Sequence, residues 1–218
     1  SALAGFSDGA MLAASFVALL LPALALVADG GAAATWPVLL GVVAGAVCID
    51  VLHRSAPHEH FQKGPEGAAA NRLRRVWLFA IALSLHNLPE GLAVGVGVAS
   101  GDASVSLPVT LSIGVQNAPE GLIVAVAFVA AGYAKATALL VTLATGMVEP
   151  VGAMVGFGAV QLVTAAMPAA LAFAAGAMVY VVSHEIIPES HREGRSVVAT
   201  YGVGGGVLVM LAVDAWLG

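Results

Sequence analysis

The stretch that decides the fold is Leu85-His86-Asn87-Leu88-Pro89-Glu90-Gly91, which lies inside a long apolar run. The chain soon repeats the pattern as Val115-Gln116-Asn117-Ala118-Pro119-Glu120-Gly121. Both copies continue into apolar sequence. A carboxylate, an imidazole and carboxamides are costly at membrane depth, so polar groups in such runs indicate function by default.

Helical spacing places the polar side chains of each copy on one face. His86 and Glu90 are separated by one helical turn, as are Gln116 and Glu120, and residues at this spacing are neighbours on a helix surface. Each glutamate follows a proline, which lacks a backbone N–H and clashes with the carbonyl one turn earlier. Two kinked helices that carry these groups would form a site for a divalent cation.

The composition is that of an integral membrane protein. The chain is 60% hydrophobic and only 10% charged, with a mean hydropathy of +0.97, whereas about 25% of the residues in soluble domains are charged. The single cysteine, Cys48, excludes a disulfide framework and a Cys-rich zinc site.

Turn signals divide the chain into apolar segments near the length of a spanning helix. The segments are 4–28, 34–52, 76–100, 105–131, 136–160, 164–187 and 197–217. We predict an all-α, polytopic membrane helix bundle of seven transmembrane helices, with residues 1–218 as a single transporter domain. The prolines at which we expect helices to be interrupted are Pro22, Pro37, Pro89, Pro119 and Pro150.

The basic residues predict the orientation in the membrane, because they concentrate in cytoplasmic loops. When the seven helices are threaded, all eight fall on one side: Arg54, Lys63, Arg72, Arg74, Arg75, Lys135, Arg192 and Arg195. That side is expected to be the cytoplasm. It contains the loop 53–75, which we expect to be flexible, while the C-terminus at Gly218 faces outward.

The same threading makes the two motif copies antiparallel, because they lie on consecutive helices. Inverted repeats of this kind place a binding site near the bilayer midplane at their interface. His86 and Gln116 both fall near the middle of their segments, in agreement with such a site.

With these residues in view, the chain resembles the bacterial branch of the ZIP family of divalent-metal transporters. The resemblance is carried by His86 to Gly91 and Gln116 to Gly121 on adjacent helices. The histidine-containing loop (His53, His58, His60) and the pair Glu149-Pro150 also fit. Family members have eight helices with both termini outside, so the resemblance implies that the first helix precedes Ser1.

The resemblance implies a two-metal site at mid-membrane. The ion-carrying site would be His86, Glu90, Gln116 and Glu120, with Met11 as a further candidate. The adjacent second site would be Asn87, Glu90, Asn117, Glu120 and Glu149. Many eukaryotic members have His in place of Gln116 and Glu120. One imidazole with carboxamide oxygens makes a harder site, and the sequence leaves selectivity among zinc, cadmium, iron and manganese open.

Several polar residues near helix ends are candidates for a route by which metal enters or leaves. They are Asp50, His184, Glu185, Glu189, His191 and Asp214. Each could equally be a solvated group at a helix terminus. Met11 could likewise be a packing residue, because Met commonly fills gaps in cores.

Two other classes of function remain as alternatives. A passive metal-selective channel could use the same ligands, although the inverted repeat favours alternating access. An intramembrane metalloprotease is disfavoured, because His184-Glu185-Ile186-Ile187-Pro188 breaks the His-Glu-x-x-His pattern. The chain is therefore not expected to be an enzyme.

The partners expected are a divalent metal ion as substrate and the lipid bilayer of the bacterial inner membrane. A homodimer is kept as a candidate assembly. We expect no nucleic acid and no cofactor. No Gly-x-x-x-x-Gly-Lys loop occurs in the sequence, which disfavours ATP as the direct energy source.

Metal loading is predicted to release protons, because carboxyl and imidazole groups bind metal in their deprotonated forms. Zinc affinity of the detergent-purified protein should therefore fall as the medium is acidified from neutral to mildly acidic pH. Isothermal titration in two buffers of different ionisation enthalpy measures the zinc affinity and the number of protons released on binding. An affinity that does not change with pH would contradict carboxylate and histidine ligands.

Overall fold

The computed structural model describes residues 2–55, 58–60, 64–66, 75–191 and 196–217. The helices are α1 (Ala2–Ala13), α2 (Leu21–Ala25), α3 (Gly31–Ser55), α4 (Arg75–Ala99), α5 (Ala103–Ala130), α6 (Lys135–Gly146), α7 (Val148–Leu162), α8 (Met167–Val181), α9 (Ile187–Ser190) and α10 (Ser196–Leu217). The π-helical turns Ala14–Leu20 and Val182–Ile186 join α1 to α2 and α8 to α9.

Within the described residues, seven helical stretches are long and apolar enough to cross a membrane. This confirms the all-α, polytopic bundle. The loop between α3 and α4 contains a small antiparallel pair, β1 (His58–His60) with β2 (Gly64–Glu66). Because α3 runs to Ser55, the prediction that placed His53 in this loop is wrong: His53 lies in the last turn of the helix.

The predicted interruptions at three of the prolines are wrong. Pro37, Pro89 and Pro119 lie inside the continuous helices α3, α4 and α5. A proline removes one donor, and membrane helices tolerate this when neighbouring groups satisfy the freed backbone. Pro22 and Pro150 do lie near the starts of α2 and α7, where the lost N–H has no intrahelical partner in any case.

A short turn makes α4 and α5 antiparallel neighbours. Gly101 has a φ of +70°, a conformation that glycine adopts without strain. Asp102 then caps α5 by accepting a hydrogen bond from the Ser104 backbone N–H at 2.9 Å. The bonds from Ser104 hold the pKa of Asp102 below its ordinary value. This turn brings the two motif copies face to face.

Glycine residues allow α4 and α7 to approach closely. A Cβ on Gly91 would lie 2.0 Å from the carbonyl oxygen of Glu149, and a Cβ on Gly95 would lie 2.0 Å from that of Ala153. Close approach through small residues is a common basis of helix association in membranes. Because the motif has glycine at position 91, the start of α7 can lie next to Glu90 on α4.

Two further helix pairs are built in the same way, α1 with α10 and α3 with α8. Gly9 lies against the Val203 backbone, and Gly45 lies against the Phe173 backbone, each with a Cβ position 2.0 Å from a carbonyl oxygen. An apolar crevice of about 520 Å³ lies between α3–α8 and α4–α7, and the residues that line it include Ala44, Leu92 and Ala170.

Replacement of Gly95 by alanine should destabilise the protein, whereas replacement of Gly158 should not. The new methyl group would overlap Ala153 in the first variant, and overpacking costs about 1–3 kcal/mol. A Cβ at Gly158 in α7 meets no atom within 4 Å, and alanine favours a helix over glycine by about 0.5–1 kcal/mol. Thermal unfolding in detergent compares the two, and equal melting temperatures would contradict the packing account.

Candidate metal site

The structure gathers the polar side chains of both motif copies between α4 and α5. The side chains of Glu90 and Gln116 are fully buried, and those of His86, Asn87 and Glu120 are each 7% exposed. Charged and amide groups are rarely buried without paired or coordinating partners. What each polar atom contacts therefore indicates what the site can bind.

A hydrogen bond between the two repeats joins Gln116 to Glu90. Gln116 Nε2 donates to Glu90 Oε1 at 2.8 Å. Within the described part of the chain, the remaining oxygens, Glu90 Oε2 and Gln116 Oε1, are buried and have no hydrogen-bond partner. The bond thus orients both side chains and leaves one acceptor oxygen on each.

The second amide of the repeat joins α5 to α7. Asn117 Nδ2 donates to Glu149 Oε2 at 2.6 Å, and Asn117 Oδ1 has no hydrogen-bond partner among the described residues. Asn87 Nδ2 in α4 donates to the Thr145 carbonyl at 2.8 Å. Residues of the predicted second metal site therefore link α5 to α7 and α4 to α6.

Ser7 is a site residue that the sequence reasoning missed. Its hydroxyl, in α1, donates to Glu120 Oε1 at 2.9 Å, and both side chains are buried. Glu120 Oε2 has no hydrogen-bond partner in the described structure. The available signal was the spacing of Ser7 and Met11, which are separated by one helical turn and so share a face of α1.

Four buried oxygens of the motif residues are therefore free to accept a cation. They are Glu90 Oε2, Gln116 Oε1, Asn117 Oδ1 and Glu120 Oε2. A buried acceptor without a partner costs about 1–3 kcal/mol, and a divalent cation would satisfy it. Among the described residues, no three His, Cys, Asp or Glu side chains form a metal-binding group. In this geometry the amide oxygens of Gln116 and Asn117 join the carboxylate oxygens as candidate ligands.

Aromatic and imidazole rings extend from this site through α3 and α8. The rings of His53 and His86 have centroids 5.8 Å apart, and His53 is only 3% exposed. Tyr180 packs edge-on to His53 at 6.1 Å and stacks on His184 at 5.0 Å. Tyr180 Oη also donates to Asp50 Oδ1 at 2.6 Å. The predicted loop includes His53, so the sequence does not predict this contact between His53 and the candidate site.

The remaining predicted route residues have contacts of their own where the structure describes them. Asp50 also pairs with Arg54, at 2.9 Å. His191 contacts the Ile187 carbonyl and the Thr200 hydroxyl. Asp214 is half-buried on α10. The side chains of Glu185 and Glu189, like those of the strand residues His58 and His60, lie outside the described part of the structure.

Met11 lies in an apolar environment. It is fully buried with Ile49, Ala177, Val181 and Val182 in one hydrophobic cluster. This surrounding suits a packing residue, and a role for Met11 as a ligand stays a prediction.

Comparison with known proteins identifies the family. The model of the ZIP zinc transporter family matches residues 50–214, which include both motif copies and Glu149. The chain belongs to the ZIP family. Its members are transporters, so this ZIP protein is a multi-pass membrane transporter and not an enzyme.

Bacterial zinc transporters are among its relatives. The chain is 45% identical to zinc transporter GufA of Myxococcus xanthus over 203 residues, which are 92% of this chain and 80% of GufA. It is 45% identical to zinc transporter ZIPB of Bordetella bronchiseptica over 220 residues, 100% of this chain and 71% of ZIPB. Human zinc transporter ZIP11 is 36% identical over 151 residues, 66% of this chain and 44% of ZIP11.

Replacement of Gln116 by alanine should weaken zinc binding by about tenfold or more, because it removes one oxygen and the donor that orients Glu90. Ser112→Ala is the matched control: Ser112 is buried on the same helix, but its hydroxyl donates to the Pro108 carbonyl of its own helix. Zinc isotherms in detergent compare the variants. Equal affinities would remove Gln116 from the site.

Proposed function

We propose that this ZIP-family protein carries divalent transition metal, zinc foremost, from the outside of the bacterial inner membrane into the cytoplasm. The observation that carries the proposal is the set of four buried oxygens without hydrogen-bond partners on Glu90, Gln116, Asn117 and Glu120. The relatives named as zinc transporters support zinc as the metal.

The ligands divide between two neighbouring metal positions. His86, Glu90, Gln116 and Glu120 hold the transported ion, and Met11 remains a candidate there. Asn87, Asn117 and Glu149 hold the second ion together with Glu90 and Glu120, which bridge. Because most of these donors are oxygens, the site also suits harder cations such as manganese and iron, and cadmium is kept as a further candidate substrate.

Transport moves the motif helices as a unit. The close glycine contacts make α4 and α7 one rigid pair, while α1 with α10 and α3 with α8 form others. The crevice between α3–α8 and α4–α7 is lined by apolar residues. A sliding, elevator-like motion along this boundary would expose the site to each side in turn.

On the cytoplasmic side, the released ion passes the row of rings that begins at His86. The row continues with His53 on α3, Tyr180 on α8 and His184 in the π-helical turn after α8, and Asp50 adds a carboxylate. The concentration of basic residues near this end supports its assignment as cytoplasmic. A homodimer is compatible with this arrangement and forms no part of the site.

Glu90→Ala should abolish zinc uptake into liposomes, whereas Met11→Ala should retain measurable uptake. Glu90 contributes a buried oxygen to both proposed metals, while Met11 lies in an apolar cluster. Initial rates at matched protein density measure the difference. Equal residual uptake in the two variants would contradict the bridging role of Glu90.

A cross-link across the crevice separates a carrier from the alternative, a metal-selective channel. Cysteines replace Ala170 in α8 and Val96 in α4, which both line the crevice, after the exposed Cys48 is changed to serine. Bifunctional maleimides of increasing length then join them. A carrier should lose uptake but keep bound zinc, and reduction of a cleavable linker should restore uptake. Undiminished flux through the linked protein would establish a channel.

A further inference from the structure

We propose that Ser7 is a specificity-determining residue of this metal site. It holds one oxygen of Glu120 so that the carboxylate offers a single oxygen to the metal. The inference rests on the proposed function and concerns which ions that site accepts.

The geometry at Glu120 separates its two oxygens. Ser7 Oγ donates to Oε1 at 2.9 Å, and Ser7 is only 3% exposed. Water therefore has little access to compete for this bond. Oε2 is buried and has no hydrogen-bond partner among the described residues. A hydrogen bond to one oxygen fixes the rotation of the carboxylate, and the other oxygen is the one presented to a cation.

The carboxylate of Glu90, in the other motif copy, is held in the same way, and this supports the role proposed for Ser7. Gln116 Nε2 donates to Glu90 Oε1, and Glu90 Oε2 is left without a partner. Gln116 belongs to the repeated motif, but Ser7 lies on α1, outside it. Helix α1 therefore supplies the hydrogen-bond donor that orients Glu120, whereas the motif itself supplies the donor that orients Glu90.

The number of oxygens that a carboxylate offers affects which ion fits. Zinc forms compact sites with few ligands and short bonds, with oxygen at about 2.0–2.2 Å. Larger cations take more oxygen ligands and accept both oxygens of one carboxylate. Removal of the Ser7 hydroxyl frees Oε1, so that Glu120 can chelate through both oxygens. Cadmium, which is larger than zinc, gains more from this change.

Ser15 provides a matched control on the same spanning segment. It is buried like Ser7, but its hydroxyl donates to the Met11 carbonyl, one turn earlier in the same spanning segment, at 2.7 Å. Its replacement by alanine removes a buried hydroxyl and leaves Glu120 untouched. A purely structural effect of losing a serine would therefore appear in both variants.

The test measures kcat and KM for zinc and for cadmium uptake in liposomes containing the wild type, Ser7→Ala or Ser15→Ala. The cadmium-to-zinc ratio of kcat/KM should rise in Ser7→Ala by about tenfold, the lower end of what loss of a partner to a metal ligand does to affinity. The change should lie mainly in the KM for cadmium. Ser15→Ala should keep the wild-type ratio.

Competition between the two metals for the detergent-purified proteins gives a second readout that does not depend on transport. An unchanged ratio in Ser7→Ala overturns the proposal, even if uptake of both metals falls by a common factor. An equal rise in Ser15→Ala also overturns it. If the wild type takes up neither metal, the proposed function itself fails, which is a different result from transport with an unaltered ratio.

Discussion

The structure depends on one constraint: oxygens buried at membrane depth must have partners. The bond from Gln116 to Glu90 meets part of this requirement and joins the two inverted motif copies. Oxygens that this network leaves without partners in the described chain, such as Glu90 Oε2 and Glu120 Oε2, are then available to a cation. An ion bound there would exchange its water for protein ligands, and in the proposed function this exchange allows its passage through the bilayer.

Close helix packing brings α7 into contact with the polar network between α4 and α5. Because Gly91 has no side chain, the α7 backbone at Glu149 can lie against α4. Asn117 on α5 then reaches Glu149 at 2.6 Å. Besides supplying the proposed ligands, the motif sets the distance between α4 and α7 through its glycine. Its amide groups determine which carboxylate oxygens have a hydrogen-bond donor.

Much of the fold and the motif residues could be predicted from the sequence, because long apolar segments and a repeated polar motif are strong signals. The sequence signals for His53 and Ser7 are weaker. His53 was assigned to the loop because hydropathy falls before α3 ends at Ser55. Ser7 resembles any serine that bonds its own helix backbone, as Ser15 does. Only three-dimensional packing distinguishes these two serines.

The central claim is that the unpartnered motif oxygens hold the transported metal. Anomalous diffraction from crystals soaked in zinc or cadmium tests it most directly. The account predicts the strongest peak within bonding distance of Glu90 Oε2, Gln116 Oε1 and Glu120 Oε2. A strongest peak elsewhere, for example at His191 or Asp214, with no metal density at those three oxygens, would contradict it.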